Sequence, residues 1–415
     1  MNYKSFSLPQ NAWFGDEDMV ITLPGEWEVD FADIPADQFE VKGEEDIRGA
    51  LKNPTASQPL RDLARERSKA VIVFDDLSRP TNMSEIAPLI VEELFAGGIE
   101  ENNISFIVAL GAHGAHTRLD FEKKLGAGII SRFPVYNHNP YENCSFVGKT
   151  RYGTPLYINS ALMEADLKIG VGSILPHAFN GFGGGGKIIL PGVSSMETIY
   201  ENHKRVVEDL KEREVGFVGN MGVMENSKMK DEIEDAVGAV NLDFIVNVLP
   251  NSSRHPVEIV AGDPLKAFAK GVEEAKNLYV TDYYKDADIV ITNANAKASE
   301  ALIALLLGTN SLKKEGGDLV TVVNCPVGQI VHYLFGQFGE KTGGKLWSGG
   351  GNFPPQIKRS IIYSECGGQR FNLQPKAIEC DDWEDIVNLL REKNGPGSKV
   401  VIFKDATMQF LRRDF

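Results

Sequence analysis

Basic residues are few in this chain of 415 residues, where 43 lysines and arginines stand against 58 aspartates and glutamates, and the net charge is −15. This deficit argues against a nucleic-acid partner, which requires a basic face. Long apolar runs are lacking too, since none reaches the roughly 18 residues of a membrane helix. The N-terminus lacks the basic and then apolar pattern of a secretory signal. We therefore expect a soluble, cytoplasmic protein without a nucleic-acid or membrane partner.

Cysteine is also scarce. The four cysteines lie far apart in the sequence, and no pair has C-x-x-C spacing. A zinc ribbon or a redox dithiol is therefore not indicated, and a metal site would have to depend on histidine. The rest of the composition is ordinary for a globular protein, with 42% hydrophobic and 24% charged residues.

Strand-like and helix-like segments alternate along the chain, which predicts an α/β fold with parallel-rich sheets. Residues 71–74 and 104–110 predict two buried strands of a first series, and residues 288–292 begin a second series. We therefore predict two α/β domains. The N-terminal domain covers residues 1–275 and the C-terminal domain covers residues 276–404, with the tail 405–415 returning to the first domain.

Polar clusters follow the first two strands directly, where ligands bind in doubly wound sheets. In the first cluster, residues 75–80 (DDLSRP), Arg79 could clamp a carboxylate or phosphate while Asp76 orients it. The structural alternative is that an aspartate caps the next helix and pairs with Arg79. The second cluster holds His113 and His116, of which His113, nearer the strand end, is the better candidate for proton transfer.

Residues 181–187 (GFGGGGK) form a glycine-rich loop with His177 before it and His203 in the predicted helix after it. Glycines can adopt φ > 0 and leave backbone N–H groups available to an anion. The spacing is that of a P-loop, but Ile188 stands where a serine or threonine would hold Mg²⁺, so an NTPase is not indicated. Two alternatives remain: a site for a phosphorylated cofactor, and a turn chosen only for tight packing. His138, His255 and His332 lie outside these motifs in the sequence and are interpreted as structural.

Together and in this order, these blocks resemble the lactate racemase family, which uses a nickel-pincer nucleotide. The resemblance is carried by residues 75–80, residues 111–113 with Thr117, residues 175–177, the loop 183–187, and His203. It implies two α/β domains with an active-site cleft between them. The implied reaction inverts C2 of a 2-hydroxy acid by hydride transfer to the cofactor, with two histidines as acid/bases.

The resemblance also implies roles for single residues. Lys187 would hold the cofactor covalently. His203 would be the protein ligand of Ni(II), whose other ligands would be two sulfurs and one carbon of the pincer, and Ni(II) accepts such a square-planar set of soft ligands and imidazole. His113 and His177 would be the acid/base pair. Arg79 and Asp76 would hold the substrate or polarise the site. Further cofactor contacts are expected from Ser78, Gly183, Gly184, Gly185 and Gly186, and cofactor-biosynthesis proteins are implied as partners.

The second domain departs from the family, which there carries a glutamine and a lysine that help bind substrate. Aligned without gaps, these positions fall on Ala301 and Ala304. Polar residues stand nearby instead, including Ser299 and Glu300, and three of them are the candidate substrate ligands: Asn293, Asn295 and Lys297. Because buried polar groups need hydrogen-bonding partners, we predict that these three bind a polar 2-hydroxy acid, such as an aldonic (sugar) acid. The first alternative is a racemase of lactate, malate or another small 2-hydroxy acid. The second is a cofactor-free protein that binds a nucleotide or anion.

Overall fold

The computed structural model describes residues 2–212, 220–334, 354–369 and 377–412. Within these segments the strands and helices of the first part are, in chain order, β1 (Tyr3–Gln10), β2 (Glu17–Pro24), β3 (Glu28–Ala32), α1 (Glu44–Lys52), α2 (Leu60–Ala64), β4 (Ala70–Asp75), α3 (Met83–Ala96), β5 (Ile104–Ala109), α4 (Arg118–Arg132), β6 (Val135–Asn137), β7 (Cys144–Lys149), β8 (Pro155–Asn159), α5 (Ser160–Met163), β9 (Leu167–Ser173), β10 (Pro176–His177), β11 (Gly181–Phe182) and α6 (Met196–Glu212). The later ones are α7 (Lys228–Val240), β12 (Phe244–Pro250), β13 (Pro256–Gly262), α8 (Pro264–Leu278), β14 (Val280–Thr281), β15 (Ile289–Asn293), α9 (Leu302–Thr309), β16 (Gly317–Val322), β17 (Ile357–Tyr363), β18 (Ile378–Cys380), α10 (Trp383–Arg391), β19 (Lys399–Phe403) and β20 (Phe410–Leu411). None of these helices has the length and apolar character needed to cross a membrane.

The chain divides into two compact units. The central unit consists of Phe39–Asn277 and Val331–Trp347, and the terminal unit consists of Met1–Gln38, Leu278–Ile330 and Ser348–Phe415. The predicted fold class is confirmed, because each unit is built around a sheet in which most neighbouring strands run parallel.

The central unit contains a six-stranded sheet in the order β13-β12-β9-β4-β5-β6, in which only the β12–β13 pair is antiparallel. Alternate residues of β4 face opposite sides of it. Ile72 and Phe74 pack into a core with α1, α3 and α4, whereas Val71 and Val73 pack into a core with α6 and α7. Because both faces are covered, β4 and β5 are the continuous apolar runs that the sequence shows, and they end side by side at one edge of the sheet.

The terminal unit contains a second six-stranded sheet, in the order β18-β17-β16-β15-β19-β3, and all its neighbouring strands are parallel. β3 pairs with β19, and the β1–β2 hairpin buries Leu8 and Ile21 in the core of this unit. The predicted assignment of residues 1–38 to the first domain is therefore corrected. The predicted return of the tail is corrected as well, because β20 pairs with β14 within the terminal unit.

Candidate active site

The turn after β4 presents a buried carboxylate to a histidine. Oδ2 of Asp76 lies 2.6 Å from Nδ1 of His113, and Oδ1 of Asp76 accepts hydrogen bonds from the amide (3.1 Å) and hydroxyl of Ser78. Burial raises the pKa of Asp76, but the interactions with His113 and then Arg79 lower it by more than burial raises it. The carboxyl pKa is therefore held well below its ordinary value. Asp76 is therefore an anion that keeps a proton on Nδ1 of His113, and Nε2 of His113 is the accepting nitrogen.

Lys124 of α4 holds this turn in place, although no sequence pattern pointed to it. Its fully buried ammonium group donates to the carbonyl oxygens of Asp76 (2.9 Å) and Arg79 (3.0 Å). It also lies 2.8 Å from Oδ1 of Asp75, whose Oδ2 accepts the N–H of Ser173 at the end of β9. Asp75 thus has a structural role, but it pairs with Lys124 and does not cap the next helix, whose N-cap is Asn82. Asp76 is the aspartate that contacts a candidate catalytic group.

His116 supports the same turn and is not a surface residue. Its Nε2 accepts the backbone N–H of Leu77 at 3.0 Å, and burial lowers the pKa of the ring. The sequence prediction that His113 is the better acid/base candidate is consistent with this placement, since the Nε2 lone pair of His116 is already bound to the protein.

Tight packing explains most of the glycine loop. Gly184 has φ +87° and precedes a 3-10 helix, Gly185–Ile188, that carries Lys187. A Cβ atom at Gly184, Gly185 or Gly186 would collide with its surroundings. The nearest atoms would be, in that order, Ser173 O at 2.8 Å, Phe268 Cδ2 at 2.5 Å and Val237 Cγ2 at 2.5 Å. At Gly183 the nearest atom would be 3.7 Å away, an ordinary contact.

Several backbone N–H groups of this loop are bound within the protein. Gly183 donates to the carbonyl of Leu175 (2.7 Å), Gly185 donates to Oδ1 of Asn247 (2.9 Å), and Lys187 donates to the carbonyl of Gly184 (3.2 Å). The expectation that the loop leaves its N–H groups to an anion is therefore wrong for these three. The side chain of Lys187, which is half-buried, is the chemical group that the loop presents.

His203 has the properties of a metal ligand. It lies on α6 with 5% of its surface exposed, and its Nδ1 is 3.0 Å from the carbonyl oxygen of Ile199, one turn earlier. A carbonyl only accepts, so Nδ1 carries the proton and Nε2 keeps its lone pair. Burial, and then Lys187, lower the pKa of His203 to about 3, which keeps the ring neutral. Among the described residues, no group of three or more histidines, cysteines and carboxylates could hold a metal by itself.

His177 is held in the opposite tautomer to His113. Its Nδ1 accepts the backbone N–H groups of Phe179 (3.1 Å) and Asn180 (3.2 Å), so the proton of the neutral ring is on Nε2. The ring of Phe179 lies 6.2 Å from the His177 ring and 5.7 Å from the His203 ring. The two rings are therefore held in different tautomers, since His113 accepts at Nε2 and His177 donates there. The paired acid/base roles that the family resemblance implies stay a prediction.

His332, interpreted from sequence as structural, lies beside His113. The chain enters the central unit at Val331, and His332 forms an antiparallel bridge with His113. The two ring centroids are 5.4 Å apart. Burial lowers the pKa of His332 well below its ordinary value, with further contributions from His113, His203 and Arg79. Nothing in the sequence could have shown this, because the neighbouring residues are more than a hundred positions away.

The three predicted substrate-binding residues lie in the terminal unit, and the side chain of Asn293 is hydrogen-bonded within that unit. Its Nδ2 donates to the carbonyl oxygens of Pro9 and Lys404, each at 2.8 Å, and its Oδ1 accepts from Gln10. Both ends of the fully buried amide are thus used to join β15 to β1 and to the segment after β19. The prediction that Asn293 binds substrate is corrected for this reason.

Asn295 and Lys297 are also buried, and part of their hydrogen bonding is internal. Oδ1 of Asn295 accepts the N–H of Ala12 at 3.1 Å, and the backbone N–H of Lys297 donates to Oγ1 of Thr407 at 3.2 Å. The carboxylate of Asp405 accepts the N–H of Ala296 at 2.7 Å. Ala301 and Ala304, where the family resemblance leads one to expect glutamine and lysine, are fully buried.

Comparison with known protein families and sequences gives consistent matches. Residues 14–214 match the model described as the lactate racemase N-terminal domain. The lactate racemase of Thermoanaerobacterium thermosaccharolyticum is 32% identical over 323 residues, which are 76% of this chain and 74% of that protein. The lactate racemase of Lactiplantibacillus plantarum is 31% identical over 286 residues, 67% of this chain and 65% of that protein.

Two solved structures are similar in fold. The lactate racemase apoprotein from T. thermosaccharolyticum has a TM-score of 0.74 at 23% identity and covers 99% of this chain and 100% of its own. A protein from Thermotoga maritima has a TM-score of 0.63 at 17% identity, covering 89% of this chain and 98% of its own.

Proposed function

The chain belongs to the lactate racemase family, and we propose that it is an isomerase that inverts C2 of a 2-hydroxy acid with a nickel-pincer nucleotide attached to Lys187. The observation that carries this proposal is the contact between Asp76 and His113 in the central unit. A buried carboxylate that orients an imidazole is the arrangement of a general base. Arg79 lowers the pKa of Asp76, and Lys187 and His113 lower the pKa of His203, so these groups interact within the central unit.

The described residues fit the proposed cofactor. His203 offers a neutral Nε2, which is what a nickel ligand requires. The hydroxyl of Ser173 is buried and has no hydrogen-bond partner among the described residues, and the carbonyl of the same residue lies against Gly184. A group bound beside the glycine loop would supply that missing partner. When bound, the cofactor would supply the nickel ion and the centre that accepts and returns hydride.

The side chains of this protein would carry the proton transfer and hold the substrate. His113 would accept the proton of the substrate hydroxyl at Nε2, and Asp76 would stabilise the imidazolium that forms. Arg79 would bind the carboxylate. In its observed tautomer, His177 would first donate a hydrogen bond from Nε2 to the substrate. To act as the second base, its ring must leave the N–H groups of Phe179 and Asn180.

The proposed substrate class is 2-hydroxy acids. Arg79 offers its guanidinium group to an anionic substrate, whereas Lys187 would contribute no charge, because the covalent link to the cofactor would neutralise its amine. Asn293 no longer supports an aldonic acid in particular. Asn295 and Lys297 stay as the candidates for its additional hydroxyl groups, and lactate is the alternative substrate.

The test uses the chain produced together with the cofactor-forming proteins. We expect one nickel per chain, an added mass at Lys187, and appearance of the opposite C2 configuration from a single enantiomer of lactate, malate or gluconate. Lys187→Arg, which keeps the charge but cannot form the covalent link, should lack the added mass and the activity. A chain that never acquires nickel or added mass would support the cofactor-free anion-binding alternative. A fully loaded chain that inverts none of the acids would refute the isomerase.

A further inference from the structure

We propose that His332 is a substrate-binding residue that donates a hydrogen bond from Nε2 to the carboxylate of the 2-hydroxy acid, beside Arg79. This inference rests on the proposed function and adds to it a residue from the distant segment that returns to the central unit.

The segment around His332 is fixed to two elements of the site. The N–H of Tyr333 donates to the carbonyl of Ala112 at 2.8 Å, next to His113. Leu334, which is buried, packs in one cluster with Ala112 and with Ile199 of α6. Since α6 also carries His203, the short segment lies across both the end of β5 and the helix with the candidate nickel ligand. His332 is therefore held in position from two sides.

The hydrogen bonding of His332 makes it a donor. Its Nδ1 accepts the N–H of Leu334 at 3.2 Å, so the neutral ring carries its proton on Nε2. The ring meets that of His113 edge to face, at 5.4 Å between centroids and 66° between planes. In this arrangement a fixed N–H donor stands next to the proposed base. Arg79 belongs to the same group of side chains, because its Nη1 donates to Oγ of Ser78 at 2.9 Å and that hydroxyl binds Asp76, the partner of His113.

A carboxylate can use this donor. Its two oxygens offer about four acceptor positions, more than a single bidentate arginine satisfies. A neutral histidine donor adds a hydrogen bond to the anion without repelling Arg79, and it would fix the orientation of C2 relative to His113.

The experiment compares His332→Gln with His332→Glu in the cofactor-loaded protein. The two side chains have nearly the same shape, but glutamine keeps an N–H donor and glutamate presents an anion. We expect the KM for lactate to rise about 10- to 100-fold in the Glu variant, the range for losing one hydrogen bond to a charged group, with a smaller change in kcat. The Gln variant should stay within about threefold of the unaltered chain. His255→Gln, at an exposed histidine, is the matched control.

A second readout is independent of turnover. Racemic lactate is already at equilibrium, so calorimetric titration with it measures binding alone, and the dissociation constant should rise in parallel with KM. Equal KM values in the Gln and Glu variants would overturn the proposal. Loss of nickel or of the added mass at Lys187 in both variants would also overturn it, since His332 would then serve the cofactor. If the unaltered loaded chain inverts no 2-hydroxy acid, the proposed function itself fails.

Discussion

Two adjacent aspartates show how single residues of one type acquire different roles. Asp75 lies at the end of β4 and is bound to Lys124 and to the backbone of β9, whereas Asp76 contacts His113. Successive side chains of an extended segment point to opposite sides, so the two carboxylates meet different partners, although Asp76 is the more deeply buried of the two. Lys124 connects the two functions, because the same ammonium group neutralises Asp75 and binds the carbonyl of Asp76.

Lys124 is a positioning residue, and a double substitution can show it. Lys124→Met should lower the free energy of unfolding by about 3–5 kcal/mol, because it leaves the carboxylate of Asp75, which is only 13% exposed, without its buried cation. Adding Asp75→Asn should recover much of that stability, as urea denaturation would measure. Activity should not recover, since the carbonyls of Asp76 and Arg79 would still lack their donor. A double variant with the original kcat would show that the turn needs no such support.

Among the structural elements, the glycine loop has specific packing requirements. Three of its four consecutive glycines lie against other parts of the central unit, and Gly183 does not. The glycine run thus serves to press the loop onto β9, α7 and α8, which leaves Lys187 at a defined position. This explains a conspicuous sequence feature by sterics, with no need for an anion in the loop.

The loop offers a matched pair of alanine substitutions. Gly186→Ala places a methyl group 2.5 Å from Val237 and should lower the free energy of unfolding by about 1–3 kcal/mol, as overpacking does. Gly183→Ala meets nothing closer than 3.7 Å and should be tolerated. Thermal denaturation and the fraction of chains with added mass at Lys187 are the measurements. Equal losses at both positions would argue that the loop binds a ligand through Gly183 as well.

The hairpin β1–β2 and strand β15 depend on each other through Asn293. Asn293→Ala leaves the carbonyls of Pro9 and Lys404 without their donor and should lower the free energy of unfolding by about 1–3 kcal/mol. The KM of the loaded enzyme for its substrate should not change, because the side chain is fully buried and both of its N–H groups bind the protein. An increase in KM with unchanged thermal stability would restore Asn293 as a substrate ligand.

For the whole molecule, acid should weaken the fold before most carboxylates titrate. Burial lowers the pKa of His138 to about 4, and the pKa values of His116 and His332 are lowered as well. An unfolded histidine has a pKa of about 6.5. As the pH falls below that value, the unfolded chain binds protons that the folded chain refuses, so stability is full above pH 6.5 and is lost as the pH falls towards 4.

This pH dependence can be measured on the cofactor-free protein by urea denaturation between pH 7 and pH 5. Each such histidine contributes up to about 1.4 kcal/mol per pH unit. The pKa values of Asp243 and Asp405 are raised in the fold, so these two groups stabilise the folded chain as the pH falls. The contribution of one histidine must therefore be measured by comparing a variant with the unaltered chain. His138→Phe should reduce the slope by about one proton. An unchanged slope would mean that His138 is protonated in the fold.

Local patterns predicted much of the fold and part of the candidate site. The apolar runs of β4, β5 and β15 were readable because strands covered on both faces contain few polar residues. The pairing of β3 with β19 was not readable, since a five-residue strand carries no mark of a partner some 370 positions away. For the same reason the polar residue Asn293 looked available for a substrate, although Gln10 and Lys404 occupy it.

The sequence by itself determined that this is a two-part α/β protein of the lactate racemase family, and it singled out Asp76, His113, Lys187 and His203. It could do so because periodicity and motif order are properties of neighbouring residues. Only the tertiary structure decided the tautomers of the histidines, the supporting role of Lys124 and the place of His332. These depend on which donors and acceptors meet across long stretches of chain, and a buried polar group takes its function from the partner that satisfies it.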